Sequence, residues 1–220
     1  MDKRRILVFG DSNTWGWNPS NTLKPPIVRW SDEERFTGVM QKELGDGYTV
    51  ITEGLNGRTT VWDDPIEEYR CGKAVLIPLL DSHAPLDLVI IMLGTNDLKR
   101  RFSVTPRDIA EGAGQLAAKT LCQVYDFRDQ KPEVLLICPP RLGDVGRTHF
   151  GPVFGGNEDK STQLAPFYKE MADMYGVHFL NADEIVKSSK TDGLHWDADQ
   201  HEKMGKVLAE EIEKIFDRAG

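Results

Sequence analysis

Short unbroken apolar runs alternate along this chain with longer stretches in which apolar residues recur every three or four positions. The runs, rich in Val, Ile and Leu, occupy residues 6–9, 48–52, 88–93, 134–138 and 177–180. Between them the helical period predicts helices over 32–44, 66–82, 106–127 and 161–175. A last helix is expected over 199–216, where Met204, Val207, Leu208, Ile212, Ile215 and Phe216 fall on one face. Thr105 and Pro106 suit a cap and a first helical turn. Repeated strand–helix alternation implies a parallel sheet covered by helices on both faces, a three-layer α/β/α arrangement. The run Leu88-Val89-Ile90-Ile91-Met92-Leu93 is continuous rather than alternating, as a strand buried on both sides requires.

Two stretches resist this pattern. Residues 18–29 are rich in Pro and polar side chains, and residues 141–160 form a long Gly-rich segment holding His149, Phe150, Val153 and Phe154. Loops of that length in a compact domain tend to be lids or contact surfaces, and the apolar residues in the second favour contact. There is no internal repeat or low-complexity segment, so one domain over residues 1–220 is expected.

Composition narrows the partners. A formal net charge of -8 speaks against nucleic acid or an anionic membrane, which need a basic face. Cys71, Cys122 and Cys138 are odd in number and have no C-x-x-C spacing, which disfavours disulfide and zinc frameworks and fits a reducing compartment. The basic start Lys3-Arg4-Arg5 is followed by too short an apolar run for a secretory signal, which needs about 7–15 residues. No run approaches the roughly 18 residues of a membrane span. A cytoplasmic location is expected.

In an open parallel sheet, ligands bind beyond the carboxyl ends of the strands. After the first strand stands Gly10-Asp11-Ser12-Asn13-Thr14, and after the second Glu53-Gly54-Leu55-Asn56-Gly57-Arg58-Thr59-Thr60. After the third comes Gly94-Thr95-Asn96-Asp97, and beyond the fifth Asp192-Gly193-Leu194-His195. One edge would therefore gather a serine, a glycine loop, an asparagine and an Asp/His pair. Acyl transfer needs such parts. A serine hydroxyl attacks once a base takes its proton, which His195 can do, and a carboxylate such as Asp192 fixes the imidazole tautomer and stabilises its cation. Backbone N–H groups of Ser12 and Gly57, with the Asn96 side-chain amide, would receive the oxyanion. The G-x-S-x-G elbow of α/β-hydrolases is absent, because Thr14 stands where its second glycine belongs.

G-D-S-N-T, the glycine of L-N-G-R-T-T, G-T-N-D and D-G-L-H resemble, in order and spacing, the four blocks of the SGNH (GDSL-type) hydrolases. The longer strings G-D-S-N-T-W-G-W, E-G-L-N-G-R-T-T and V-I-I-M-L-G-T-N-D resemble the small bacterial arylesterase/acyltransferase branch. That resemblance implies a flavodoxin-like sheet of five parallel strands and hydrolysis through an acyl-serine without metal or cofactor. By motif, Ser12, Asp192 and His195 are the catalytic residues and Ser12, Gly57 and Asn96 the oxyanion hole. It further implies short acyl esters as substrates, acyl transfer to alcohols or peroxide, and a homo-oligomer such as an octamer or tetramer. Asn13 departs from the leucine of the family's name, at a variable, non-catalytic position.

Blander and rival readings stand beside these. Ser12 alone reads as a helix cap, Gly57 as a tight turn, Asn96 as a turn residue. Asp11 is a second candidate cap, with no catalytic role assigned. The same triad would serve a carbohydrate O-acetyl esterase or a thioesterase. Asp192, His195, Asp197, Asp199 and His201 crowd ten residues, as in a metal-dependent phosphohydrolase, although Asp197 or Asp199 also suits a cap for the last helix. His83, His149 and His178 have no visible partner, and Cys138 reads as a buried thiol. Trp15 and Trp17 are both candidates to wall the acyl pocket, and Trp15 is taken as the substrate contact. Arg58 is either a surface charge or a contact for a polar substrate group.

Overall fold

The computed structural model describes residues 3–22, 24–123 and 131–219. Five strands, β1 (Arg4–Gly10), β2 (Tyr48–Gly54), β3 (Leu88–Met92), β4 (Glu133–Cys138) and β5 (His178–Asn181), pair in the order β2-β1-β3-β4-β5, and every pairing is parallel. Eight helices accompany them among the described residues: α1 (Ser12–Trp15), α2 (Phe36–Leu44), α3 (Gly72–His83), α4 (Pro106–Leu121), α5 (Gly151–Phe154), α6 (Glu158–Ser161), α7 (Leu164–Tyr175) and α8 (Ala198–Ala219).

Alternation along each strand divides its side chains between two layers. Leu7, Phe9, Val89 and Ile91 join the cluster beneath α3, α4 and α7, whereas Ile6, Val8, Leu88 and Ile90 join the cluster beneath α2 and α8. Both faces are thus covered, and the strands read as continuous apolar runs for that reason. The chain passes from β1 to β2 on one side and then to β3 on the other. The crevice of a doubly wound sheet opens at such a switch point. Here it lies between the ends of β1 and β3.

Several helices start or stop away from their predicted limits, each for a local reason. The helix expected from residue 66 begins at Gly72, because the Asp64 carboxylate takes the N–H groups of Ile66 (2.9 Å) and Glu67 (3.1 Å) and Tyr69 is left-handed with φ 61°. The helix expected from residue 32 begins at Phe36, after Ser31 and Glu34 have closed a turn on each other's backbone N–H. Residues 161–175 divide into α6 and α7, and the Ser161 hydroxyl receives the Leu142 N–H. The helix expected over 106–127 ends at Leu121, and residues 124–127 of that expectation lie outside the described residues. Its start agrees with a capping box in which Thr105 and Asp108 satisfy one another. Residues 141–160, expected as a long loop, contain α5 and most of α6, with Leu142, Val145 and Phe154 buried. No helix among the described residues is long and apolar enough to cross a membrane.

Candidate active site

β1 ends at Gly10, Asp11 caps α1 by accepting the Asn13 N–H at 3.0 Å, and Ser12 is the first residue of that one-turn helix. The approach is tight: a Cβ on Gly10 would lie 2.0 Å from Thr14 Oγ1. Glycine there lets α1 fold back over the strand end with the serine hydroxyl facing the crevice.

The partner of that hydroxyl comes from the segment before α8. Asp192 Oδ1 receives the N–H groups of Leu194 and His195, both at 2.9 Å, so the three-residue turn closes on its own carboxylate. The other oxygen, Oδ2, meets His195 Nδ1 at 2.7 Å, and His195 Nε2 meets Ser12 Oγ at 2.8 Å. Asp192 and His195 are buried. Burial pushes the Asp192 carboxyl up, but the hydrogen bonds and charge of His195 and the two backbone N–H groups outweigh it, and the carboxyl sits below its ordinary range. A carboxylate on Nδ1 leaves the Nε2 lone pair to accept from Ser12, the tautomer a general base requires.

This hydrogen-bonded chain opens into a cavity of about 210 Å³. Ser12, Asn56, Gly57, Asn96 and His195 all line it. Gly57 is left-handed at φ 82°, which presents backbone rather than a side chain to the cavity. The apolar wall consists of Phe150, Val153, Phe154 and Leu194. Phe150 stands edge-on to the His195 ring at 5.5 Å. Residues 141–160 thus fold onto the crevice and supply part of its wall. The sequence offered apolar residues in a loop as the signal, but not where they point.

Of the two tryptophans, the cavity is lined by Trp17 and not by Trp15. Gly16 ends α1 at φ 98°, and the chain turns Trp17 toward the His195 ring, 5.4 Å away. Trp15 instead lies under the Arg29 guanidinium at 4.7 Å. Arg58 is turned inward as well: it reaches the Gly10 carbonyl at 2.9 Å and lies over the Phe9 ring at 4.3 Å. Burial lowers its pKa to about 10.

The crowded Asp/His segment disperses. Asp197 accepts the Ser189 hydroxyl at 2.9 Å, and its carbonyl, not its carboxylate, receives the Gln200 and His201 N–H groups at the start of α8. His201 is buried against Phe36 and accepts the Phe36 N–H at 3.3 Å, with burial pushing it down to about 3. No cluster of three or more potential metal ligands occurs among the described residues. His83 meets Glu53 at 2.8 Å and His178 meets Glu133 at 3.1 Å, partners that pairing of distant strand ends supplies. His149 packs on Phe150, and burial holds the Cys138 thiol well above its ordinary range.

Two charged features at the site escaped sequence reading. Lys99 lines the cavity, yet its ammonium is bound by Asp64 (3.0 Å) and Glu67 (2.7 Å). Asp97, next to Asn96, receives the Thr60 N–H at 3.1 Å and the Thr60 hydroxyl. Both pairings join loops far apart in the chain, which no local pattern reveals.

The same fold recurs in known structures. A carbohydrate acetylesterase from Sinorhizobium meliloti is 41% identical, with 97% of this chain and 100% of that one covered and a TM-score of 0.90. The aryl esterase of M. smegmatis is 39% identical over 96% of this chain and 99% of its own, with a TM-score of 0.91. A multidomain esterase of Ruminococcus flavefaciens is 22% identical over 95% of this chain, which spans 28% of that protein's length. Residues 8–203 match the family model itself, and the chain belongs to the GDSL-like lipase/acylhydrolase family.

Proposed function

We propose that this protein is a serine carboxylic ester hydrolase that cleaves short-chain aryl or alkyl esters through an acyl-serine. The observation that carries the reading is the unbroken chain from Ser12 Oγ through His195 (2.8 Å) to Asp192 (2.7 Å) at the mouth of a small cavity. As Oγ attacks the ester carbonyl carbon, its proton passes to His195 Nε2, and Asp192 stabilises the resulting imidazolium. The carbonyl oxygen gains the negative charge and is received by the N–H groups of Ser12 and Gly57 and by the Asn96 amide. The tetrahedral adduct collapses, the C–O bond to the alcohol breaks, and His195 returns the proton to the leaving oxygen. Water then repeats the sequence on the acyl-serine and releases the acid. An alcohol or peroxide in place of water would take the acyl group, and the apolar wall of Phe150, Val153 and Phe154 favours an alcohol with an apolar body.

At about 210 Å³ the cavity is below the roughly 300 Å³ at which drug-sized sites begin, which supports acetyl-sized acyl groups. The likeness to a carbohydrate acetylesterase supports O-acetylated sugars as a second substrate class. A thioester would meet the same triad. The net charge of -8 supports a small-molecule substrate and not a nucleic acid, and the free cysteines Cys71, Cys122 and Cys138 support a cytoplasmic location. The test is Ser12→Ala: turnover of a small chromogenic acetate ester should fall by at least about 10³-fold with the circular dichroism spectrum unchanged. Retention of most of the activity would sink the mechanism.

A further inference from the structure

The three proposed oxyanion donors sit on three separate loops, after β1, β2 and β3. Each loop also carries a charged residue immediately beside its donor: Asp11 beside Ser12, Arg58 beside Gly57, Asp97 beside Asn96. All three are buried, at 2%, 4% and 1% exposure, although none belongs to the Ser12–His195–Asp192 chain. Each reaches across to a neighbouring loop. The Asp11 carboxylate lies beside the side chain of Thr95, the residue before Asn96, which helps hold its charge. Asp97 takes both the N–H (3.1 Å) and the hydroxyl of Thr60, three residues after Gly57. Arg58 donates to the carbonyl of Gly10, two residues before Ser12, at 2.9 Å. The third loop is thereby bonded to the second and the second to the first, and Asp11 closes the ring by its place beside Thr95 on the third.

We infer that Asp11, Asp97 and Arg58 are positioning residues that form a closed brace and set the spacing of the oxyanion donors for the ester-hydrolase reading on which this inference rests. The cost of keeping these groups supports a purpose beyond packing. An isolated carboxylate is expensive to bury, and both Asp11 and Asp97 are pushed up to about 6, chiefly by burial. Neutral side chains of similar shape would fill the same space without that penalty. What they would not supply is an acceptor taking N–H and O–H from one residue at once, which fixes the Thr60 backbone relative to Asn96. The side chains of the brace do not line the cavity. Their effect is therefore expected in the rate of the chemical step and not in substrate affinity.

A double-mutant cycle between the brace and one donor separates this role from general support of the fold. Rates on a neutral aryl acetate are expressed per active site titrated with a fluorophosphonate, so an unfolded fraction does not enter. Asp97→Ala should lower kcat on the order of 10- to 100-fold, with KM changed less than about twofold. In an Asn96→Ala background the same substitution should cost less than about threefold, because the donor it positions is gone. Asp97→Asn, which keeps one acceptor for Thr60, should restore part of kcat. Thr60→Val preserves shape and removes one bond of the same contact, and it gives the cycle again should Asp97→Ala fail to fold. Additive losses in an active wild type would overturn the brace and leave the hydrolase reading standing. A wild type that turns over no acyl ester would overturn both.

Discussion

The reactivity proposed for Ser12 depends on side chains distant in sequence, and burying their charge costs stability. Burial pushes Asp97 up to about 6 from an ordinary value of 3.8, so the folded protein holds this proton through a window in which the unfolded chain has lost it. The folded state binds more protons between about pH 4 and 6, and its stability therefore falls as pH rises through that window. Asp97→Asn removes this contribution. Unfolding free energies of wild type and variant, compared at pH 4.5 and 7.5, should shift in the variant's favour at the higher pH, by about 2 kcal/mol at most. A gap that stays constant between the two pH values would contradict the assignment. The residues of the Ser12–His195–Asp192 chain were legible in the sequence because each follows a strand or closes a short turn, where topology alone dictates direction. The choice between Trp15 and Trp17 was not legible. It turns on Gly16 ending a one-turn helix at φ 98°, and residue types do not reveal that reversal.

The strands were readable, and so were the starts of α4 and α8, but those of α2 and α3 were not. Strand limits follow from continuous apolar runs, and all five fall within a few residues of the expected positions. Helix α3 starts six residues late because the Asp64 carboxylate holds the backbone N–H groups of Ile66 and Glu67 in a loop, while Lys99 and Arg101 arrive from another loop to pair with it. A helical period cannot register a partner thirty-five residues away. The short helix α5 gives the clearest functional consequence, since Val153 and Phe154 line the cavity beside Leu194. Phe154→Ala should enlarge the cavity and shift the chain-length profile from acetate toward butyrate and hexanoate esters. It should also cost about 3–5 kcal/mol of stability, as Phe154 is buried in the core that α5 shares with the sheet. An unchanged profile would show that the acyl chain lies elsewhere.

Over the whole molecule, the two covered faces of the sheet leave few large apolar side chains outside. Tyr69 and Ile66 are the most exposed of these among the described residues, at 84% and 74%, and both stand in the loop that precedes α3. Ile27 and Val28 are also exposed, in the segment between α1 and α2. Paired apolar exposure of this kind favours self-association, and sedimentation at micromolar concentration is expected to show a species larger than 24.8 kDa. A monomer would count against a homo-oligomer. Covalent labelling reports on Ser12 as the nucleophile without needing the natural substrate. A fluorophosphonate should add once per chain, with the modified peptide carrying the phosphonate on Ser12, and His195→Ala should slow the addition at least about 10²-fold. Labelling at another residue, or none at all under conditions where the wild type hydrolyses an acetate ester, would rule out Ser12 as the nucleophile.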